Sequence, residues 1–184
     1  MKRALTFIVT MAVASQLANW TVFAAEHQSG ADKAQASTTL SKKDAKFINA
    51  AAEGGLMEVQ MGELAQQKGQ SADAKALGQR LITDHTKAND ELKQLASGKG
   101  VTVPSALPDH QQKMVDKLSS ASDFDKTFKD MAVKDHKKDI KEFEKASKKC
   151  DDADIKAWVT KTLPTLQEHL RMAEQLGVAR TASK

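Results

Sequence analysis

The stretch LITDHTKANDELKQLA at residues 81–96 decides the fold class of this chain, and AVKDHKKDIKEFEKAS at residues 132–147 repeats its pattern. In both stretches Asp-His stands at the same position, and an apolar residue follows seven positions after the histidine. Apolar residues that recur at steps of three and four form one face of an α-helix. Both stretches therefore predict amphipathic helices. A duplicated helical hairpin and the general likeness of helical surfaces explain the repeat equally well.

The composition of the 184 residues supports an all-α protein. Aromatic residues make up 4% of the chain and tyrosine is absent, whereas strands favour aromatic and β-branched side chains. The single cysteine excludes an intramolecular disulfide and a thiolate zinc site. The sequence contains no Gly-rich phosphate loop and no G-x-S-x-G motif. Sheet proteins and several classes of enzyme are thereby excluded.

Capping residues and glycines predict four long helices. Short connections join the first helix to the second and the third to the fourth, so each pair forms an antiparallel hairpin. Roughly 25 residues separate the hairpins, which is enough to run the length of the bundle and to carry a short extra helix around residues 110–118. One long crossover between two hairpins predicts a ferritin-like four-helix bundle. The predicted helices are Ser41 to about Gln67, Ser71 to Ser97, Ser122 to about Lys149, and Asp151 or Asp152 to Gly177.

The first residues of the chain have the pattern of a secretory signal peptide. Lys2 and Arg3 precede an apolar run, and small residues allow cleavage after Ala24 or Ala25. The apolar run is shorter than the roughly 20 residues that a membrane span needs. We therefore expect a protein without a transmembrane segment, in the periplasm or secreted. The predicted parts are a signal peptide at 1–25, a flexible leader at 26–40, a bundle domain at 41–177 and a tail at 178–184.

The charge pattern argues against nucleic acid as a partner. The chain has 28 Lys and Arg against 24 Asp and Glu, and removal of Lys2 and Arg3 with the signal peptide leaves 26 against 24. Basic and acidic residues also alternate along the helices, as on a solvated helix face and not as in a phosphate-binding stripe. The partners left open are another envelope protein or a second copy of this chain.

Four stretches of the sequence resemble a large family of exported bacterial proteins of unknown function. Its members often carry the label of predicted outer-membrane proteins and are grouped with the ferritin-like superfamily. The resemblance covers residues 41–177 and implies the fold and export, but no activity, and it leaves open whether the protein is free or associated with the outer membrane. The stretches are FINAAAEGGLMEVQMGELA at 47–65, ITDHTKANDEL at 82–92, FDKTFKDMAVKDHKKDIKEF at 124–143 and LPTLQEHLRMAEQL at 163–176.

Three histidines and one glutamate are predicted to meet inside the bundle. His85 and His136 each lie fourteen residues past the start of a predicted helix, so parallel helices place them at one level. Glu58 shares the inward sector of the first helix, and His169 lies at the edge of the apolar stripe of the fourth. The four groups span about 6 to 8 Å of bundle height at the standard helical rise.

These residue types together are those of a metal site. An unpaired buried polar group costs on the order of 1 to 3 kcal/mol, which a bound metal would offset. Neutral imidazole and carboxylate are ligands for Zn, Cu, Ni or Fe. An acidic residue precedes each histidine, so Asp84, Asp135 and Glu168 are candidates for accepting hydrogen bonds from the rings.

Two other interpretations stay open. The histidines can form a purely structural polar core, bonded to carboxylates, Thr162 or Asn89, in a non-catalytic envelope protein that acts in stress tolerance or surface interaction. An enzyme is less favoured, because apolar residues precede each histidine by three positions and the Glu-x-x-His motif of di-iron proteins is therefore missing. Cys150, at the predicted turn between the third and fourth helices, could join two chains through a disulfide.

Overall fold

The computed structural model describes residues 40–177, and every regular element in that range is an α-helix. The predicted signal peptide, the tail at 178–184 and all of the leader except Leu40 lie outside the described residues. Within residues 40–177, no helix is both long and apolar enough to cross a membrane. The predicted arrangement of four long helices and one short helix is confirmed. The helices are α1 (Lys42–Lys68), α2 (Ala72–Ser97), α3 (Asp109–Ser119), α4 (Phe124–Lys149) and α5 (Ala153–Gln175).

Short polar side chains begin the long helices, as the sequence predicts. The hydroxyls of Ser41 and Ser71 each accept a hydrogen bond from the backbone N–H three residues on, at 3.1 Å in both cases. Helix α4 begins one residue later than predicted, because Asp123 and not Ser122 provides the cap by accepting from the N–H of Lys126. These bonds satisfy N–H groups that have no partner within their own helix.

Hydrogen bonds between the hairpins show how the helices are directed. The carboxylate of Asp125, in the first turn of α4, accepts from the backbone N–H groups of Gln70 and Ser71 at 2.9 and 2.8 Å. Helices α2 and α4 therefore begin at the same end of the bundle and run parallel, and the chain between them crosses its whole length. At the opposite end Asp44, in the first turn of α1, accepts from the N–H groups of Asp151 and Asp152 at 3.0 Å.

Asp44 and Asp125 thus have a role that the sequence does not reveal. The local pattern predicts that each carboxylate completes the cap of its own helix. Instead each one binds the turn of the opposite hairpin, because the parallel arrangement puts the first turn of one helix beside the turn of the other pair. The two hairpins are held together at both ends by these side chains.

Replacement of Asp125 by alanine is expected to lower the free energy of unfolding by about 2 kcal/mol near neutral pH, the usual loss for hydrogen bonds to a charged group. Partial burial of this carboxylate works to raise its pKa, but the hydrogen bonds from Gln70 and Ser71 outweigh it and the pKa is lowered from 3.8. Its contribution is therefore complete above 3.8 and is lost as the pH falls through the lower pKa of the folded state. Urea unfolding at neutral and acidic pH checks both statements.

Asp130 provides the matched control for that variant. It lies on the same helix, is exposed, and pairs with Lys126 on its own helix at 2.7 Å. Such a surface pair contributes less than about 0.5 kcal/mol, so Asp130→Ala is expected to unfold almost as the unmodified protein does. Equal losses in the two variants would show that Asp125 does not hold the hairpins together.

The interior consists of two apolar clusters with a polar layer between them. One cluster, around Leu77, Leu81 and Phe128, fills the end where α2 and α4 begin. The other, around Ile48 and Trp158, fills the opposite end. The polar layer is formed by Glu58, His85, His136 and His169, and it interrupts the apolar core at one level of the bundle.

Candidate metal centre

Each long helix contributes one side chain to the polar layer. Glu58 comes from α1, His85 from α2, His136 from α4 and His169 from α5, and their exposed fractions are 1%, 5%, 0% and 0%. One ring nitrogen from each of the three histidines lies within 4.8 Å of the other two. The ring centroids are 5.1, 5.3 and 5.9 Å apart. Three imidazoles from three helices therefore converge on a common point.

A backbone contact determines the tautomer of His136. Its Nδ1 lies 2.9 Å from the carbonyl oxygen of Ala132, one turn earlier on α4. A carbonyl can only accept, so Nδ1 carries the proton and the neutral ring presents the lone pair of Nε2 to the interior. The helix itself thus orients this nitrogen as an acceptor.

A carboxylate determines the tautomer of His169. Its Nε2 lies 3.0 Å from Oδ2 of Asp84 on α2, and Arg80 also contacts this carboxylate at 2.9 Å. Nε2 therefore donates, and Nδ1 presents its lone pair inward. That Nδ1 is buried and has no hydrogen-bond partner.

Glu58 lies against two of the rings. Its Oε2 is 3.0 Å from Nε2 of His85, and its Oε1 is 3.1 Å from Nε2 of His136. These separations are short enough for hydrogen bonds, but the atoms are not aligned for them. Oε1 and both ring nitrogens consequently remain buried without a hydrogen-bond partner. Buried polar groups in proteins are nearly always paired, so such a concentration of unpartnered atoms calls for an explanation.

Burial keeps the imidazoles neutral. It lowers the pKa of His85 well below 6.5 and that of His136 to about 4, and repulsion from His169 adds to both effects. Burial also lowers the pKa of His169, although the bond to Asp84 opposes it. The pKa of Glu58 is raised well above 4.5, first by burial and then by Asp135 and Asp139. Neutral imidazole is the form that binds a metal.

The three predicted hydrogen-bond acceptors are placed differently from one another. Asp84 does bond a ring, but the ring is that of His169 on another helix. Glu168 pairs with Arg171 and is partly exposed, so the prediction that it orients a ring is wrong. Neighbouring residues on a helix point about 100° apart, so an acid directly before a histidine faces away from that ring.

Asp135 belongs to a second group that the sequence analysis missed. Carboxyl oxygens of Glu58, Asp135 and Asp139 lie within 4.8 Å of one another. One feature of the sequence could have predicted this group. Asp139 lies on the same face of its helix as His136, which points to the interior, and it is one turn from Asp135. Thr162, predicted as a possible ring partner, instead donates to the carbonyl of Trp158 at 2.8 Å.

The remaining histidines and the cysteine lie apart from the polar layer or outside the described residues. His110 is exposed on α3, and His27 is outside the described residues. Cys150 is 6% exposed and its thiol is free, and a disulfide between two chains stays a prediction. The first turn of α1 packs beside it, and burial, followed by the nearby Asp44, raises the pKa of its thiol to about 11.

A family model described as "Domain of unknown function (DUF4142)" matches residues 29–176. None of the curated proteins matches the chain. The fold is similar to that of "CopM in the Cu(I)-bound form", with 19% identity and a TM-score of 0.62, over 72% of this chain and 93% of CopM. CopM has also been solved in Cu(II)-bound and Ag-bound forms. A DUF305 fragment from Deinococcus radiodurans matches with 10% identity and a TM-score of 0.64, over 73% of this chain and 95% of the fragment. These similarities show a shared helical fold.

Proposed function

Because this chain belongs to the family described as "Domain of unknown function (DUF4142)", we propose its function from the polar layer. The protein binds one transition-metal ion inside the bundle. His85, His136 and His169 are the nitrogen ligands, and Glu58 supplies a carboxylate oxygen. Copper is the first candidate, ahead of zinc, nickel and iron.

One observation carries this proposal: a hydrogen bond holds the outer nitrogen of two rings, while the inner nitrogen of each ring makes no hydrogen bond, even though Oε1 of Glu58 lies 3.1 Å from that of His136. Ala132 holds His136 and Asp84 holds His169, and the nitrogens turned inward have no hydrogen-bond partner. Bonds of this kind orient the histidines that bind metals in proteins. A purely structural polar core would pair these inner atoms, because each unpaired one lowers stability by about 1–3 kcal/mol.

The donor set and the structural neighbours together favour copper. Imidazole binds Zn, Cu, Fe and Ni, whereas the hard ions Mg and Ca prefer oxygen ligands. The likeness in fold to CopM, which has been solved with Cu(I), Cu(II) and Ag, supports copper for this chain. When bound, the ion supplies the positive charge and coordination that the unpartnered atoms lack. The residues of this chain hold the ion and exclude water from it, since all four are at most 5% exposed.

The predicted signal peptide supports a site of action in the cell envelope. We place the protein in the periplasm or outside the cell, where it sequesters metal and contributes to stress tolerance. Attachment to the outer membrane and membership of the ferritin-like superfamily belong to the same proposal. The crossover between two hairpins supports the second of these.

Metal analysis of protein purified without a histidine tag tests the proposed function. After removal of metal by a chelator, the protein is loaded with Cu(I) or, separately, Zn(II), and the bound metal per chain is measured after dialysis. Loss of a residue that hydrogen-bonds to a metal ligand weakens metal binding by about 10–100-fold. Loss of the ligand itself should therefore weaken metal binding by at least about 100-fold. His136→Ala and His169→Ala are therefore expected to release the copper that the unmodified protein retains.

His110→Ala is the control, because this histidine is exposed on α3 and outside the polar layer. It should retain one copper ion per chain. Circular dichroism establishes that each variant is folded. Equal copper in the unmodified protein and in a folded variant lacking all three ligand histidines would refute the proposal. That result would favour the alternative of a non-catalytic envelope protein with a structural polar core.

A further inference from the structure

A second group of metal-binding side chains adjoins the polar layer on one side. Asp135 and Asp139 lie one turn apart on α4, and Glu58 approaches them from α1. The three residues bring carboxyl oxygens within 4.8 Å of one another. We call these three residues the acid group. Glu58 is a member of both the acid group and the polar layer.

The acid group lacks the positive charge that three adjacent carboxyls need. Among residues 40–177, Nζ of Lys138 lies 3.6 Å from Asp139, and the side chain of this lysine is 69% exposed. The rings of His85 and His136 lie 3.0 and 3.1 Å from Glu58, and burial keeps both rings neutral. Burial, followed by repulsion from Asp139, raises the pKa of Asp135 to about 7. Burial likewise raises the pKa values of Glu58 and Asp139.

Two oxygen atoms of the group are available to a ligand. Oδ2 of Asp135 is buried and has no hydrogen-bond partner, and this residue is 8% exposed. Oε1 of Glu58, a residue 1% exposed, also accepts no hydrogen bond, although Nε2 of His136 lies 3.1 Å from it. Such oxygens are unfavourable unless they receive a proton or a cation. These unpartnered oxygens are a second observation beside the closeness of the three carboxyls. Carboxyls that lie close together on a protein surface are normally solvated, whereas these oxygens are buried.

The interior next to the acid group has room for a single ion. A cavity of about 20 Å³ is lined by Glu58, His85 and Asp139, by the polar residues Asn89 and Thr162, and by apolar residues, whereas Asp135 does not line it. A cavity of this kind needs roughly 10–15 Å³ to hold one water molecule. Asp139 also lines an open groove of about 470 Å³ between α1 and α4. This residue therefore connects solvent with the interior.

We propose that Glu58, Asp135 and Asp139 bind a second cation, a hard divalent ion such as Mn²⁺, beside the histidine-bound metal. Oxygen-only ligands select Mg²⁺, Ca²⁺ or Mn²⁺ over the softer metals that imidazole prefers. Glu58 has two carboxyl oxygens, so it can serve both ions. Proteins with two-metal sites hold the ions about 3.5–4 Å apart. The second site rests on the proposed function only through this shared glutamate, because Asp135 and Asp139 do not contribute to the histidine site.

Titration of the metal-free protein with Mn²⁺ tests the second site. Free Mn²⁺ gives a six-line electron paramagnetic resonance spectrum that is lost on binding, so bound ions per chain can be counted directly. The unmodified protein is expected to bind one Mn²⁺ ion. Asp135→Asn and Asp139→Asn keep the shape of each side chain, remove its charge, and should weaken binding by at least about 10-fold. Asp130→Asn, an exposed change on the same helix, should leave it unchanged.

The experiment separates failure of the second site from failure of the proposed function. His169→Ala should lose copper and keep Mn²⁺, whereas Asp139→Asn should lose Mn²⁺ and keep copper. If Mn²⁺ does not bind, or binds equally to Asp139→Asn and Asp130→Asn, the second site is refuted while the copper result stands. Thermal unfolding with and without Mn²⁺ provides a second readout. Mn²⁺ should raise the midpoint of the unmodified protein and of Asp130→Asn, and should leave that of Asp139→Asn where it is.

Discussion

Replacing Glu58 with methionine is expected to stabilise the metal-free protein and to weaken copper binding by at least about 100-fold. Glu58 is 1% exposed, and burial together with repulsion from Asp135 and Asp139 raises the pKa of its carboxyl. Replacing a whole buried ionic cluster by apolar residues of similar size has increased stability by about 1–4 kcal/mol, whereas removal of one charged partner lowers it. The rings of His85 and His136 are neutral, so loss of Glu58 leaves no uncompensated charge and the first case applies. The metal-free variant should therefore unfold at higher urea concentration. In the presence of copper, the variant should no longer be more stable than the unmodified protein, because it lacks one ligand.

Opposite changes in stability and affinity distinguish a binding site from a structural element. A side chain with a structural role increases the free energy of unfolding. A buried metal ligand decreases the free energy of unfolding of the metal-free protein. Glu63→Met is the control, since Glu63 is exposed on α1. We expect it to change the free energy of unfolding by less than about 0.5 kcal/mol and copper affinity not at all. A metal-free Glu58→Met protein less stable than the unmodified one would contradict the prediction and would favour the structural polar core.

Replacing Gly78 with valine is expected to lower the free energy of unfolding by about 3 kcal/mol. A Cβ atom at this position would lie 2.6 Å from the Cβ of Ala65 and 2.9 Å from the carbonyl oxygen of Gly62. Both atoms belong to α1, and neither can rotate away, so the two helices of the first hairpin would have to separate. For a domain of this size the midpoint of thermal unfolding should fall by roughly 10 °C. Calorimetry of the metal-free protein measures this shift.

Gly98 is the matched control for this close contact. It follows α2, has a φ of −61°, and a Cβ there would meet atoms no nearer than 3.6 Å. Gly98→Val should therefore cost less than about 1 kcal/mol. If the two glycine variants unfold at the same temperature, close packing at Gly78 does not determine the spacing of α1 and α2. In that case the spacing of the two helices would be unaltered, and folded Gly78→Val should bind as much copper as the unmodified protein.

The helices and their order could be predicted because their signals are local. Ser41 and Ser71 cap their helices as expected, and Gly100 and Gly177 adopt the positive φ values of 72° that residues after a helix often have. The two short connections and the long one determine which helices are antiparallel. The common depth of His85 and His136 follows from these directions, because each residue advances a helix by the same rise.

The contacts between helices could not be predicted in this way. The sequence suggests that Asp125 caps its own helix and that Glu168 orients a ring, yet Asp125 binds the opposite hairpin and Glu168 pairs with Arg171. Asp139 was not recognised as a neighbour of Glu58. Such contacts depend on the rotation of each helix about its axis and on the distance between axes. Gly62 and Gly78 affect this distance, but the pattern of apolar residues does not specify it.

The sequence by itself therefore determined an all-α chain of two hairpins with a crossover, and the level at which histidines interrupt the apolar face. Tertiary structure decided which nitrogen of His136 and His169 points inward, and it gathered Glu58 and two aspartates into the acid group. The physical reason is that helix formation and rise depend on neighbours a few residues away. The direction of a side chain in the interior depends instead on atoms that other helices bring to it.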